Sequence, residues 1–506
     1  MKTVEVVQKT LDMISCDVAL VFVYKDENAK KPQFHPSDTF TNLDNSLDGE
    51  LSKLCTIERF IGETGSIVSF YTGVSIVPTK VIVIGLGKKS EFVLNDLRSV
   101  LGKFVSSRKN KIDSIAFAFP EQSDMTADEF VTAAVETVTL ATYSFGKYKA
   151  KKKEDRDLSS VIFSIPQKVN QQVVKTAIVK AKAYARATLM ARDLVNEQPS
   201  VATPTFLAQV ASDIAKSTKE IKLTILDKPQ IEKMGMNAFL GIARAADTPP
   251  KFICLEYTPL KTTSKKKLAV VGKGITFDSG GINVKPGDHM SDMKMDMAGA
   301  AIVLGVFSVI AEIKPDFSVM GIIAATPNMI SGNAIVPGDV VKAMNGKTIE
   351  VLNTDAEGRV TLADSLSYAV KEGATEIIDF ATLTGACLVA LGEDIAGLFV
   401  NDRDFADRIK TAAHDAGEKV WELPLEKDYK AQNKSSVADI ANIPSSRYGG
   451  TITAALFLQE FIGNTTWAHL DIAGPAFTSR GTSIGPKGGT GFGVRTVLQL
   501  LEGKKA

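Results

Sequence analysis

Four acidic side chains occupy glycine-containing segments of this sequence, where a solubilising role explains them poorly. They are Asp278, Asp296, Asp355 and Glu357. Carboxylate oxygens suit divalent cations such as Mg²⁺ and Mn²⁺, and zinc accepts them as well. Two cations held close together need bridging carboxylates, which three Asp and one Glu can provide. The set predicts a two-metal site for hydrolysis, although each residue taken alone is as easily structural as catalytic.

The elements around the first two carboxylates should place them at one edge of a sheet. LAVVG (268–272) has the pattern of a buried strand, and Asp278 lies just past it beside Ser279 and two glycines. In α/β proteins, ligand sites form at such strand ends. Asp296 opens an Ala/Gly-rich helical run, where a carboxylate can also simply favour the start of the helix.

The loop NTDAEGR (353–359) lies between a predicted strand and a predicted helix. Asp355, Glu357 and Arg359 follow one another at intervals of two residues. If the loop is extended, all three side chains project to the same side. Two carboxylates beside a guanidinium predict a metal site that adjoins an anion site, and a salt-bridged loop is the alternative.

The histidines and the familiar hydrolase motifs add little. His289 lies within the first acidic segment, but exposed loop polarity explains it equally well. We interpret His469 and Asp471 as a satisfied buried pair rather than as ligands. The sequence contains neither the HExxH motif of single-zinc proteases nor the GxSxG elbow of serine hydrolases.

The pattern of apolar residues predicts an α/β fold. Short β-rich runs alternate with longer helical patterns throughout, as in 18–24, 81–87 and 114–120. A chain of 506 residues is too long for one ordinary domain. We expect a smaller N-terminal α/β domain over 1–167, a connecting helix over 168–195, and a larger catalytic domain over 196–506 with a mixed central sheet flanked by helices.

Composition argues against several kinds of partner. The net charge is +1, from 59 basic and 58 acidic residues, so nothing indicates binding to nucleic acid or to an anionic membrane. No stretch reaches the ~18 uninterrupted apolar residues of a membrane span, and the N-terminus lacks the apolar core of a secretion signal. The four cysteines are far apart and should be buried free thiols. A cytoplasmic location fits best.

Several motifs resemble one known family. The seven residues of NTDAEGR match the signature of the leucine aminopeptidase family of cytosolic two-metal metallopeptidases, and the resemblance covers roughly 190–500. Further matching motifs are VGKGITFDSGG (271–281), SDMKMDMAGAA (291–301), TLTGAC (382–387), YGGTITAALFL (448–458) and WAHLDIAGPA (467–476).

The resemblance implies two divalent cations per subunit, Mn²⁺ or Zn²⁺, with Mg²⁺ or Co²⁺ as alternatives. It places Lys273, Asp278, Asp296 and Glu357 around the tighter cation. It places Asp278, Asp355 and Glu357 around the more exchangeable one, with help from the Asp355 main-chain carbonyl. A lysine ligand must be neutral, so the resemblance also implies a strongly depressed pKa at Lys273.

The resemblance further implies an exopeptidase that cleaves peptides by attack of a hydroxide activated by the two metals. Lys285 would stabilise the developing oxyanion, and Arg359 would hold a bicarbonate that relays the proton. A homo-hexameric assembly is also implied. The pocket for the N-terminal side chain, favouring Leu and Met, would comprise Met293, Thr382, Gly385 and Ala473.

Two other function classes remain open. A binding or structural protein could retain the fold without activity, although every implied ligand and catalytic position is intact. A two-metal phosphoesterase would use similar ligands. Hydrolysis of Leu-p-nitroanilide compared with that of p-nitrophenyl phosphate separates these classes.

Overall fold

The computed structural model describes residues 3–29, 31, 33–108, 112–120, 123–150 and 158–503. Contacts divide the chain into two units. Unit 1 comprises Met1–Ala185 with Gly481–Pro486, and unit 2 comprises Arg186–Arg480 with Lys487–Ala506. The division falls inside one helix, Gln171–Asn196, where the sequence predicts a helix over 168–195. Among the described residues, no helix combines the length and apolar character that a bilayer crossing requires.

The described part of unit 1 contains one sheet of seven strands. They are β1 (Thr3–Val7), β2 (Val18–Lys25), β3 (Phe34–His35), β4 (Ile67–Tyr71), β5 (Lys80–Lys88), β6 (Ser114–Ala118) and β7 (Ser160–Ser164). The strand order is β1-β7-β6-β2-β5-β4, with β3 beside β2. Only β3 and β4 run antiparallel to their neighbours. The three apolar runs named above form β2, β5 and β6, which confirms them as strands.

Helices cover both faces of this sheet. They are α1 (Asp38–Ser46), α2 (Glu50–Ile57), α3 (Leu94–Arg108), α4 (Ala127–Ala141) and the first half of α5 (Gln171–Asn196). Along β2, Leu20 and Phe22 join one core with α3 and α4, whereas Val21 and Val23 join another with α1 and α2. Because successive side chains of a strand point to opposite faces, a strand buried on both faces must be a continuous apolar run.

Unit 2 contains thirteen strands in its described part. They are β8 (Ile221–Leu226), β9 (Lys251–Tyr257), β10 (Lys267–Asp278), β11 (Ser318–Asn328), β12 (Asp339–Lys342), β13 (Thr348–Val351), β14 (Glu376–Ala381), β15 (Ile395–Val400), β16 (Lys419–Glu422), β17 (Ile440–Ala441), β18 (Thr466–Asp471), β19 (Phe477–Thr478) and β20 (Gly488–Gly489). The helices after α5 are α6 (Pro204–Lys216), α7 (Lys228–Lys233), α8 (Asn237–Ala243), α9 (Ala298–Phe307), α10 (Ile310–Ile313), α11 (Glu357–Lys371), α12 (Gly385–Leu391), α13 (Arg403–Ala416), α14 (Gly450–Gln459) and α15 (Val494–Glu502).

The main sheet of unit 2 has the order β16-β15-β18-β14-β10-β11-β9-β8. Its centre is parallel, from β18 through β14 and β10 to β11, and its flanks contain antiparallel pairs. This mixed sheet, with α8, α11 and α14 packed into one apolar core against it, confirms the predicted fold class. The carboxyl ends of the four parallel strands meet at one edge, which is where ligand sites form in such sheets.

Two glycines let α9 approach this edge closely. A Cβ on Gly299, near the start of α9, would lie 2.1 Å from the main-chain oxygen of Phe380 in β14. A Cβ on Gly272 of β10 would lie 2.3 Å from the main-chain oxygen of Gly299. Any larger side chain would push α9 away from the sheet, and Asp296, two residues before the start of α9, would move with it.

The four cysteines are all buried and free, as predicted.

Glu418 makes a buried polar contact that no motif of the sequence indicated. The Glu418 Oε2 accepts hydrogen bonds from Gly493 N at 3.1 Å, Thr496 N at 3.1 Å and Thr496 Oγ1 at 2.5 Å. This carboxylate therefore caps the N-terminus of α15, where unpaired N–H groups and the helix dipole favour negative charge.

Replacing Glu418 with Ala should destabilise unit 2 by about 2–4 kcal/mol, because buried donors lose their acceptor. Urea unfolding followed by circular dichroism measures the change. Glu422→Ala is the matched control, since Glu422 makes only partly exposed ion pairs with Arg403 and Lys410. We expect the control to cost less than about 1 kcal/mol. Equal effects of the two substitutions would contradict the assigned capping role.

Candidate metal centre

The predicted acidic residues meet at the carboxyl edge of the parallel strands. Ligand oxygens of Asp278, Asp355 and Glu357 all lie within 4.8 Å of one another. Asp296 joins them through Lys273, whose Nζ lies 2.7 Å from Asp296 Oδ1 and 2.9 Å from Glu357 Oε1. All five residues that the resemblance assigned as metal ligands are thus in one cluster.

Different elements position these carboxylates. Asp278 is the last residue of β10, and Asp296 lies in a short 3₁₀ helix, Met293–Met297, that leads into α9. Asp355 lies in the loop between β13 and α11, and Glu357 is the first residue of α11. The condition that this loop be extended is therefore not met, because residues 354 and 355 form a turn and the helix begins at Glu357.

The early start of α11 changes how the motif works. Glu357 and Arg359 lie in the first helical turn, so strand-like alternation does not bring them together with Asp355. The free N–H groups and the dipole at the N-terminus of α11 instead favour the carboxylates gathered there. The spacing of the acidic residues correctly indicated a carboxylate cluster, but the start of a helix brings them together rather than an extended loop.

Gly358, between those two residues, makes room for Lys273. A Cβ at this position would lie 2.5 Å from Lys273 Cε and 2.7 Å from Lys273 Nζ. The lysine side chain therefore passes directly over the first turn of α11. Only glycine leaves space for that path, which delivers Nζ between Asp296 and Glu357.

A second ammonium group lies on the other side of the cluster. Lys285 Nζ is 2.7 Å from Asp278 Oδ2 and 2.6 Å from Asp355 Oδ1. Burial by itself lowers the pKa of Lys285, but the two carboxylates outweigh burial and raise it above the ordinary value. This side chain therefore remains a protonated donor at neutral pH.

The carboxylates have more negative charge than the two lysines balance. Burial raises the pKa of Glu357 and of Asp296, and the nearby Asp278 raises both further. In the part of the chain that the structure describes, the buried Asp296 Oδ2 and Glu357 Oε2 have no hydrogen-bond donor. Divalent cations bind carboxylate oxygens that have no other partner, so these residues fit the metals implied by the resemblance.

The surroundings of Lys273 act against the neutral form that ligation requires. Burial alone would lower the pKa of Lys273, but Asp296, Glu357 and Asp278 together raise it above its ordinary value. A divalent cation bound to the same carboxylates reverses this balance, because its charge repels the ammonium proton. The direction of the Lys273 pKa thus depends on whether the carboxylates carry metal.

Arg359 lies beside the cluster with most of its side chain buried. Its Nε is buried and has no hydrogen-bond acceptor among the described residues. Burial lowers the pKa of the guanidinium to about 10, although Glu357 and Asp471 act in the opposite direction. The group therefore keeps its charge at neutral pH and offers donors to a small anion.

Neither His289 nor His469 was predicted to bind a metal, and neither belongs to the carboxylate cluster. His289 is exposed in a short 3₁₀ helix, Gly287–Met290. His469 is fully buried, and its Nδ1 lies 2.6 Å from Asp379 Oδ1. Asp471 is also buried, but it accepts a hydrogen bond from Thr384 Oγ1 at 2.6 Å. Asp471 is therefore satisfied, but the buried His469 Nε2 has no hydrogen-bond partner among the described residues. The predicted satisfied pair of His469 and Asp471 is wrong, because each residue bonds a different neighbour.

The residues implied for the side-chain pocket lie around the same edge. Thr382 follows β14, and its Oγ1 donates to Asp296 Oδ1 at 2.6 Å. Gly385 begins α12 just beyond it, and Ala473 N donates to Asp471 Oδ1 at 3.2 Å after the end of β18. Met293 begins the 3₁₀ helix that contains Asp296.

Two buried asparagines that were not predicted from the sequence hold the segments around the cluster. Asn328 is the last residue of β11 and donates to Asp278 Oδ1 at 2.8 Å. Asn442 holds the loop before α11, since its Oδ1 accepts from Leu352 N at 2.8 Å and its Nδ2 donates to Asn353 O at 2.6 Å. The strand-end rule that selected Asp278 also applies to Asn328, whereas no local signal marks Asn442.

Family models and relatives identify the family of this chain. The model of the cytosol aminopeptidase family catalytic domain matches residues 189–498, and that of its N-terminal domain matches 20–152. A probable cytosol aminopeptidase of Aquifex aeolicus is 44% identical over 95% of this chain and 94% of its own. One of Gloeothece citriformis is 45% identical over 91% and 92%.

Solved structures share the whole architecture. A mutant of tomato leucine aminopeptidase superposes with a TM-score of 0.87 and 34% identity, covering 99% of this chain and 96% of its own. The bottromycin maturation enzyme BotP in complex with Mn superposes with a TM-score of 0.83 and 30% identity, covering 96% and 99%. The chain therefore belongs to the cytosol aminopeptidase family and is a metal-dependent aminopeptidase.

Proposed function

We propose that the protein releases N-terminal residues from peptides with the help of two divalent cations per subunit, Mn²⁺ or Zn²⁺. The observation that carries this proposal is the buried carboxylate cluster with unpartnered oxygens on Asp296 and Glu357. When bound, the cations supply a Lewis acid for the scissile carbonyl and lower the pKa of water enough to make a nucleophile at neutral pH. The Mn complex of BotP, a protein of the same fold, supports this choice of metal.

The residues that would hold the cations form two overlapping sets. Lys273, Asp278, Asp296 and Glu357 would hold one cation, and Asp278, Asp355 and Glu357 the other, with the Asp355 carbonyl. Asp278 and Glu357 would then be shared. Their positions in the cluster support this, because Glu357 lies close to Lys273 and to Asp355, and Asp278 lies close to Asp355 and to Glu357.

Lys285 would stabilise negative charge on the substrate. Its ammonium is held by Asp278 and Asp355, so it is positioned before the reaction begins. A fixed donor aimed at an oxygen that becomes negative lowers the barrier without further rearrangement. Without bound cations, the same two carboxylates raise the pKa of Lys285 above its ordinary value, so the side chain is charged.

Arg359 would hold a bicarbonate ion. The buried guanidinium, with an Nε lacking any acceptor in the described part of the chain, fits a small planar anion. When bound, such an anion would supply a base for proton transfer between water and the leaving amine. Arg359 itself would orient this anion and would not change its own protonation.

Substrate preference would be set by residues beside Asp296. Thr382 contacts Asp296 directly, and Gly385 leaves open space, since no atom lies within 4 Å of a Cβ built there. With Met293 and Ala473, these residues would form an apolar pocket without a charged group, suited to Leu and Met.

We also propose that the protein is a homo-hexamer, which the family resemblance implies. A location in the cytoplasm is supported by the names of the relatives, which are cytosol aminopeptidases.

The substrate class has a direct assay. Metal-loaded protein should cleave Leu-Gly and Leu-p-nitroanilide but not N-acetyl-Leu-Gly, because the proposed reaction requires a free α-amino group. Release of leucine or p-nitroaniline is the measurement, and Leu and Met substrates should exceed Asp substrates in kcat/KM. Hydrolysis of p-nitrophenyl phosphate in place of the peptides would instead favour the phosphoesterase.

Glu357→Gln should lower activity by at least about 100-fold, because an amide cannot bridge two cations as a carboxylate does. Metal content measured by mass spectrometry after dialysis should fall in parallel. Glu372→Gln, at the opposite end of α11, is the matched control and should retain both metals and activity. Normal turnover by Glu357→Gln with both metals retained would refute the ligand assignment.

Lys285→Ala should behave differently, retaining both metals while kcat falls by about 10²–10³, the usual cost of removing one donor to a developing oxyanion. Lys294→Ala is the control, because Lys294 Nζ donates to the main-chain oxygen of Asn196 rather than to a carboxylate. Steady-state kinetics and metal content together separate the two roles. Loss of metal from Lys285→Ala would move this residue into the binding set.

A further inference from the structure

Asn328 connects the two strand ends on which the cluster depends. It is 1% exposed and lies beside Asp278 in the register of β10 and β11. Its main-chain oxygen accepts from Ser279 N at 3.0 Å and from Ser279 Oγ at 2.9 Å, which fixes the chain immediately after Asp278. The backbone of Asn328 thus determines where the Asp278 side chain begins.

The side chain of Asn328 makes two further bonds. Its Nδ2 donates to Asp278 Oδ1 at 2.8 Å and to the main-chain oxygen of Thr354 at 3.0 Å. Both partners are oxygens that only accept hydrogen bonds, and the amide nitrogen has two hydrogens, so each hydrogen has one acceptor. Aspartate would place a second carboxylate against Asp278, and leucine would leave both acceptors without a donor.

These bonds determine which Asp278 oxygen remains for a cation. Asp278 Oδ1 accepts from Asn328 Nδ2 and from Gly280 N at 2.9 Å. The other oxygen, Oδ2, faces Lys285 Nζ at 2.7 Å and so lies on the cluster side. The Asn328 amide therefore holds the carboxylate with Oδ2 directed at the cationic groups.

The bond to Thr354 adds a second effect. Thr354 directly precedes Asp355, so the same amide group ties Asp278 to the loop that carries another carboxylate of the cluster. We infer that Asn328 is a positioning residue that sets the spacing between the Asp278 and Asp355 carboxylates and thereby the affinity for divalent cations. The inference rests on the proposed metal site and extends it to a residue outside the ligand set.

The test measures Mn²⁺ affinity of the full-length protein by competition with a chelating dye, for wild type, Asn328→Leu and Asn328→Ala. Both variants should bind Mn²⁺ about 10–100-fold more weakly, the usual effect of removing a group that orients a metal ligand. Activity should recover largely at high Mn²⁺, because all ligands and catalytic groups remain. The smaller Asn328→Ala keeps the test valid if the leucine side chain prevents folding.

Asn433→Ala is the matched control, because buried Asn433 also donates from Nδ2 to a main-chain oxygen, that of Thr453 at 2.8 Å. A purely structural role would lower the unfolding midpoint of the metal-free variants and leave Mn²⁺ affinity within about threefold of wild type. That result overturns the inference, provided that Asp278→Asn weakens Mn²⁺ binding. If Asp278→Asn also binds Mn²⁺ normally, the proposed metal site itself fails.

Discussion

Repulsion between carboxylates held within a few ångströms of one another is the constraint on which the rest of this site depends. Asp278, Asp355 and Glu357 meet at the edge of a sheet, and burial further raises the free energy of the charged forms of Asp355 and Glu357. Lys273 and Lys285 supply part of the compensating charge. Divalent cations would supply the remainder, which links the electrostatics of the fold directly to the chemistry of the enzyme.

The architecture of unit 2 holds this arrangement against its own repulsion. Parallel strands end at one edge, the first turn of α11 directs N–H groups toward it, and α9 packs closely enough to bring in Asp296. Gly299 and Gly358 matter because each lets a backbone or side chain approach where a methyl group would collide. Buried amides such as Asn328 and Asn442 then fix the loops that carry the charges.

Much of the fold and of the site could be predicted from the sequence. Continuous apolar runs indicate strands that are buried on both faces, and acidic residues beside glycine after such a run indicate a site at the end of the strand. The strands β2, β5 and β6 and the mixed sheet of unit 2 followed from that pattern. The conformation of residues 357–359 did not, because the same spacing suits an extended loop and a helix start. The true partner of His469, Asp379, lies 90 positions away and is set by strand pairing.

The central claim is that this carboxylate cluster holds two divalent cations, and anomalous diffraction from crystals of Mn²⁺-loaded protein tests it most directly. We expect two anomalous peaks per chain, one close to Asp278, Asp355 and Glu357 and the other adjoining Lys273 and Asp296. Peaks confined to other parts of the surface, or a cluster that stays free of manganese in an active enzyme, would contradict it.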